Sequence, residues 1–146
     1  MDIDLPISKS IANRLLILQA LSGDGLLSVS AANTPDDVRL LHSVLCDMPT
    51  LSKGQEVCLY NCGTAIRFLT AYCAQMEGCD VVLTGTERMK QRPVGQLVAA
   101  LRELGADIEY MGEEGFPPLH IRGKVLPRHG VDIENPLSTQ FVSALL

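Results

Sequence analysis

An α/β (α+β) fold is what this sequence predicts, on three observations. The apolar period switches repeatedly along the chain, from helical recurrence to short β-branched runs and back, so helices and strands alternate. Their connections are short, as a compact domain requires. Two stretches of roughly 70 residues share one layout, with a Gly turn and hairpin closing each pair, which points to a duplicated βαβαββ unit.

The elements follow in order. A first helix is expected from about Ser8 or Ser10 to Leu21, because Ile11, Leu15, Leu18 and Leu21 recur at helical spacing and Ser22-Gly23-Asp24-Gly25 stops it. A short strand, Leu26 to Ser30, comes next. Thr34-Pro35-Asp36-Asp37 opens a second helix, with Thr34 as N-cap, Pro35 in the first turn and Asp37 at the reciprocal capping position. Val38, Leu41, Val44, Leu45 and Met48 form its inner face. A strand at Val57–Tyr60 leads through Asn61-Cys62-Gly63-Thr64 into a third helix carrying Ile66, Leu69, Tyr72, Cys73 and Met76, ended by Gly78. Asp80–Thr84 reads as a strand and Gly85–Gln91 as a polar loop. Pro93 opens a fourth helix through Leu104, stopped by Gly105. Asp107–Met111 and Pro118–Arg122 form a hairpin across Gly112-Glu113-Glu114-Gly115. A short strand near Val131–Ile133 precedes a helix from about Ser138. That helix meets no cap, glycine or polar turn before Leu146, and the expectation is a chain cut from something longer.

A chain of 146 residues holds one ordinary domain, and an apolar fraction of 47% fits a globular protein. With 4% aromatics and no Trp, the core must come from Leu, Val, Ile, Ala and Met. The net charge of −5 and the lack of stacking aromatics argue against a nucleic-acid partner. Cys46, Cys58, Cys62, Cys73 and Cys79 are odd in number and lack metal-binding spacing, and His42, His120 and His129 stand apart from them. Neither a disulfide framework nor a zinc site is expected. No leader pattern and no apolar run near 18 residues is present, so no membrane partner is expected, and a reducing cytoplasm is the expected location.

Four polar stretches each precede an apolar helical pattern: Ser8-Lys9-Ser10, Asn61-Cys62-Gly63-Thr64, Gln91-Arg92-Pro93 and Leu137-Ser138-Thr139-Gln140. A helix start carries unsatisfied N–H groups and roughly half a positive charge, so it suits phosphate or carboxylate. Three of the four add cations: Lys9 with Arg14, then Arg67, then Arg92. Such a set suits more than one anionic group. The plainer reading of each is local, with Ser138 and Thr64 as simple caps, Lys9 as a solvated lysine, Arg67 as a structural residue, and Arg88 and Lys90 on a solvated loop.

The same stretches carry a resemblance. Leu5-Pro6-Ile7-Ser8-Lys9-Ser10-Ile11-Ala12-Asn13-Arg14 resembles the LPGSKSxSNR motif of the EPSP synthase (3-phosphoshikimate 1-carboxyvinyltransferase) family. Asn61-Cys62-Gly63-Thr64-Ala65-Ile66-Arg67 resembles its NAGTAMR. Leu83-Thr84-Gly85 with Arg88-Met89-Lys90-Gln91-Arg92-Pro93-Val94-Gly95 resembles LTGxxRMKERPIG, and Leu137-Ser138-Thr139-Gln140-Phe141 resembles its SSQF stretch. Asp36-Asp37-Val38 and Pro117-Pro118-Leu119 also fit in order. Ile7 stands for the family's glycine, Ala12 for serine, Cys62 for alanine, Ile66 for methionine and Thr139 for serine.

The resemblance implies transfer of the enolpyruvyl group of phosphoenolpyruvate to the 5-hydroxyl of shikimate 3-phosphate, releasing phosphate, in aromatic amino-acid biosynthesis. It implies addition then elimination, with neither metal nor organic cofactor. Proton transfers accompany both steps. Lys9 is then the catalytic residue, contacting both substrates, and a helix start beside it should lower its pKa. Ser10, Arg14, Ser138, Thr139 and Gln140, with Lys9, are implied for shikimate 3-phosphate. Asn61, Gly63, Arg92 and Gln140, with Lys9, are implied for phosphoenolpyruvate, Gly63 by letting backbone approach the ligand. The implied architecture is an inside-out α/β barrel domain of βαβαββ units, helices inside and sheets outward. Residues 1–146 would hold about two of one domain's three units, the second domain being absent. Turnover by this chain alone is then not expected. A monomer is implied for the full-length family, and self-association of the shorter chain through uncovered helix surface. The related UDP-N-acetylglucosamine enolpyruvyl transferases usually show Lys-Asn near the first helix and a cysteine before Arg-Pro. Here Lys9 precedes Ser10, and no cysteine lies between Thr84 and Arg92. A non-catalytic anion-binding domain is the alternative of a different class.

Overall fold

Residues 8–23, 25–26, 34–127 and 130–146 are described by a computed structural model. The chain divides into two units, Met1–Thr50 and Leu51–Leu146.

In the first unit, α1 (Lys9–Ser22) starts after Ser8 and ends at Gly23, whose φ of 75° a residue with a Cβ adopts at a cost. Helix α2 (Asp36–Asp47) runs into a 3-10 turn, Met48–Thr50. Val38, Leu41, Val44 and Leu45 are buried, as their spacing predicts. The cap differs from the expectation. Pro35 sits at the N-cap and its carbonyl accepts from Val38 and Arg39 N–H groups at 3.0 and 3.1 Å. Asp37 binds the Lys9 ammonium at 2.8 Å. The face of α1 is also inverted. Ala12, Asn13 and Leu16 are buried, whereas Ile11, Leu15, Leu18 and Leu21 are 60%, 54%, 61% and 47% exposed. Leu15-Leu16-Ile17-Leu18 is apolar on every side of the helix, so periodicity alone could not choose the inner face. The strand expected at Leu26–Ser30 falls mostly on residues outside those described.

The second unit carries the predicted βαβαββ sequence. Its members are β1 (Gln55–Cys58), α3 (Gly63–Gln75), β2 (Asp80–Thr84), α5 (Gly95–Glu103), β3 (Asp107–Tyr110) and β4 (Leu119–Arg122). A short helix, α4 (Glu87–Lys90), interrupts the loop expected to be irregular, and buried Met89 anchors it. The sheet order is β1-β2-β4-β3. β1 and β2 are parallel, as a helical crossover requires, and β4 is antiparallel to both neighbours. Residues 131–133 join no strand, and α6 (Thr139–Leu145) follows.

The sheet's two faces differ as strand alternation dictates. Val57, Val81, Leu83, Ile108, Leu119 and Ile121 point inward and are buried. Helices α3 and α5 cover that face, and α6 packs on α3. On the outer face, Asp80, His120, Arg122, Asp107 and Glu109 form a charged ladder across β2, β4 and β3. Within this unit, helices lie on the apolar side and the sheet turns a polar face outward.

His120 Nε2 lies 2.7 Å from Asp80 Oδ1, while Arg122 donates to His120 Nδ1 at 3.1 Å. Because arginine can only donate, Nδ1 is the acceptor and Nε2–H the donor to Asp80. That bond, with the charge of Arg122 nearby, outweighs the opposing effect of burial and holds Asp80 below the ordinary carboxylate range. A depressed carboxylate stabilises fully above its unfolded pKa of about 3.9, and its contribution disappears as pH falls through the lower folded value. Asp80→Asn is therefore expected to lower the urea midpoint at pH 7 and to match the parent in strong acid. A difference that stays constant across pH would contradict this.

Candidate functional site

The β1–α3 turn begins the candidate site. Cys62 N–H closes onto Leu59 carbonyl at 2.9 Å, and Tyr60 adopts a φ of 48°. The turn is pinned from the β2–α4 loop: Thr86 N–H donates to Tyr60 carbonyl at 3.1 Å, and the Thr86 hydroxyl donates to Asn61 Oδ1. Gly85 is required here because an added Cβ would overlap the Tyr60 carbonyl and the Met89 side chain. Asn61, expected to meet phosphoenolpyruvate, thus has its carbonyl oxygen engaged and its amide nitrogen left for another acceptor.

Helix α3 starts at Gly63 with Cys62 as N-cap, two residues before the Thr64 cap envisaged from sequence. Gly63 has a further reason to lack a side chain. A Cβ there would overlap Arg92 Nη1 and lie 3.3 Å from Arg67 Nη1. The backbone of Gly63 therefore meets the Arg92 guanidinium, which lies across the first turn of the helix. Arg67 stands one turn on and donates to Gln140 Oε1 at 2.8 Å, with a longer contact of 3.4 Å to the Gly63 carbonyl. Its guanidinium also lies 5.2 Å from the centre of the buried Phe141 ring, in cation–π range.

Burial, and secondarily the charge on Arg92, push Arg67 below its ordinary pKa. Even so, Arg67 remains protonated at neutral pH. Among the described residues neither guanidinium pairs with a carboxylate, and Arg67 Nε is buried without an acceptor. Two like charges beside a helix start raise the local positive potential, and an anion placed there relieves their repulsion. The cationic feature is thus local, within a chain whose net charge is −5.

Gln140 joins α6 to this turn. Its carbonyl oxygen accepts from Arg67 and its amide donates to Thr64 Oγ1 at 3.1 Å. The Ser138 hydroxyl accepts from Gln140 N–H at 3.2 Å, so Ser138 does cap α6. Thr139 is exposed. The segment before α6 is held by Gln96 of α5, which accepts from Leu137 N–H at 2.8 Å and donates to Asn135 carbonyl at 3.5 Å. Gln96, Thr86 and Phe141 were not singled out from sequence as site residues. The Gln and Thr are isolated polar residues whose partners lie tens of positions away, and Phe141 read as ordinary core.

In the first unit, Arg14 Nη1 donates to the Ser10 carbonyl at 3.0 Å and to the Ser10 hydroxyl. The expected shared helix face is present. Lys9, half exposed, carries the Asp37 carboxylate as counter-ion. Asn13 is fully buried, with neither amide atom hydrogen-bonded among the described residues. Ile7 lies outside those residues. Lys90 pairs with Glu87 at 2.8 Å and Arg88 is exposed, so both reach solvent, but from helix α4 rather than from a loop.

Arg92 over Gly63, with Asn61, Thr64, Arg67 and Gln140 linked around it, places residues of three resembling motifs in one neighbourhood. The family described as EPSP synthase (3-phosphoshikimate 1-carboxyvinyltransferase) matches residues 49–146. A 3-phosphoshikimate 1-carboxyvinyltransferase of Bacteroides fragilis (strain YCH46) is 48% identical over 146 residues, covering 99% of this chain and 33% of that protein. This chain belongs to the EPSP synthase family. A relative of the same name from Vibrio atlanticus is 39% identical over 166 residues, with 99% of this chain and 38% of that protein covered. The fold agrees: the EPSP synthase structure from Acinetobacter baumannii superposes with a TM-score of 0.73 at 22% identity, covering 99% of this chain and 36% of that one. The chain spans about a third of the length of its curated family relatives. Among the described residues, no helix is long and apolar enough to cross a membrane.

Two substitutions check this geometry. Gln140→Ala removes the acceptor of a partly buried guanidinium, and the second unit is expected to lose ~1–3 kcal/mol, read from urea midpoints. Gly63→Ala is expected to move Arg92 while keeping the fold. An unchanged environment for its side-chain nitrogens in NMR spectra would count against the contact.

Proposed function

We propose that the protein carrying this chain transfers the enolpyruvyl group from phosphoenolpyruvate to the 5-hydroxyl of shikimate 3-phosphate, giving EPSP and phosphate. The observation that carries this reading is the Arg92 guanidinium lying on Gly63 beside Arg67, at a helix start. Phosphoenolpyruvate presents a carboxylate and a phosphate, and a planar guanidinium fork suits either. Arg92, Asn61 and Gly63 are assigned to phosphoenolpyruvate, Gly63 by giving room to Arg92.

Gln140 is assigned to both substrates, since its side chain reaches the first turn of α3 while its backbone belongs to the start of α6. Ser138 and Thr139, with Ser10 and Arg14, are assigned to the phosphate and ring of shikimate 3-phosphate. Lys9 is assigned to both substrates and to proton transfer. Its ammonium is exposed enough to meet a ligand, and exchanging the Asp37 partner for substrate leaves it charged. Residues 1–146 are read as one partial domain with two of its three βαβαββ units. Acid/base groups from a second domain complete the reaction, so this chain alone turns nothing over. The location proposed is the cytoplasm, the full-length form is a monomer, and the shorter chain self-associates.

The test is calorimetric titration of the full-length protein with shikimate 3-phosphate, with and without phosphoenolpyruvate, together with a turnover assay. Arg92→Lys replaces the fork by a point charge. Losing a charge-assisted bond of ~1.5–3 kcal/mol lowers kcat/KM about ten- to hundred-fold. Binding of neither substrate, or turnover indifferent to Arg92, would overturn the assignment.

A further inference from the structure

The far end of α3 carries chemistry that the enolpyruvyl reading does not use. After Gln75 the chain turns sharply: Met76 N–H donates to Cys73 carbonyl at 3.3 Å, Cys79 N–H donates to Met76 carbonyl at 3.0 Å, and Gly78 between them has a φ of 81°. This turn folds Cys79 back onto the last turn of the helix, where the Cys73 and Cys79 thiols influence each other's proton affinity. A third segment packs against both. Gly123 N–H donates to Cys79 carbonyl at 2.7 Å, and Lys124 N–H donates to Ala74 carbonyl at 3.1 Å. A Cβ on Gly123 would lie 2.9 Å from Cys79 Cβ and would overlap the Cys73 and Met76 carbonyls. The two cysteines are therefore held against one another by three backbone segments. Cys73 is fully buried, while Cys79 is partly open to solvent.

We infer that Cys73 and Cys79 form a dithiol modification site that peroxide-class oxidants close to an intramolecular disulfide. Cys79 is the attacking sulfur because it is the one solvent reaches. The adjacent Cys73 thiol favours its thiolate and outweighs the opposing effects of burial and of Asp80, so its pKa is lowered. Cys73, raised by that neighbour and by its buried position, stays protonated. In the first step the Cys79 thiolate attacks a peroxide oxygen. An S–O bond forms, the O–O bond breaks, and the departing hydroxide takes a proton to leave as water. In the second, the Cys73 sulfur gives up its proton and attacks Cys79 sulfur. The S–S bond forms, the S–O bond breaks, and a second water leaves. Two thiols have then lost two electrons, and one peroxide has become two waters. A dithiol reductant reverses the change.

Trypsin cuts after Arg67 and Arg88, so both cysteines fall in one peptide, Phe68–Arg88. After native protein is treated with hydrogen peroxide, quenched and alkylated under denaturing conditions, this peptide is expected to be lighter by two hydrogens and to carry no alkyl group. Reduction should restore two alkylation sites. Cys73→Ala is expected to leave a sulfenic acid at Cys79 that a cyclic diketone traps, and Cys79→Ser to leave Cys73 unoxidised. Should Cys73→Ala fail to fold, the parent peptide still decides the matter. Two alkylated cysteines in Phe68–Arg88 after peroxide, or a bridge from either to Cys46, Cys58 or Cys62, would overturn the inference.

Discussion

Everything in the second unit depends on the enclosure of α3. Ten of its residues, from Gly63 to Ala74, are buried. A surface helix buries one stripe; one that buries nearly all of itself must have neighbours on every side. Here the sheet supplies one side and α5 and α6 the others. The helix therefore cannot roll or slide without losing core contacts, and its first turn is fixed relative to the loops that meet it. That rigidity is what allows Arg92, from a loop, to rest on Gly63 with so little clearance. A binding group held by a rigid element needs no ordering when its ligand arrives.

The first turn of α3 also explains how two arginines come to lie together. Bringing two guanidinium groups near each other costs electrostatic energy, more so where burial reduces solvent screening. Arg67 offsets part of this with the Gln140 carbonyl and the Phe141 ring, neither of which carries a negative charge. A carboxylate in place of Gln140 would cancel one of the two charges and weaken the field available to an anion. The neutral amide holds Arg67 in position and leaves the positive potential intact. Its other end bonds Thr64, so one side chain ties the start of α6 to the start of α3.

Much of this was legible in the sequence, for identifiable reasons. The Asp80–Thr84 strand was read residue for residue, because a β-branched run bounded by Gly78 and Gly85 admits one phase. The start of α3 was placed within two residues, since its polar tetrad and apolar period adjoin. Three features escaped. The inner face of α1 was hidden by an apolar run that surrounds the helix. Helix α4 was invisible because Met89 alone anchors it. The links from Gln140 to Arg67 and Thr64 span more than seventy residues, and no local pattern encodes a contact at that distance.

The departures from the family pattern follow a physical rule of their own. In the stretch resembling NAGTAMR, the matching polar positions Asn61, Thr64 and Arg67 each make a side-chain hydrogen bond, and Gly63 makes room for a guanidinium. The two differing positions, Cys62 and Ile66, are 2% and 0% exposed and meet only the interior. Methionine and isoleucine differ little in volume, and a buried thiol behaves as a small apolar group, so a core can absorb both changes with modest repacking. Ala12 is likewise buried. A chain drifting without a binding task would be free to change the hydrogen-bonding positions as readily as the packed ones. Within this stretch the differences sit where volume matters, and the matches where geometry and charge do.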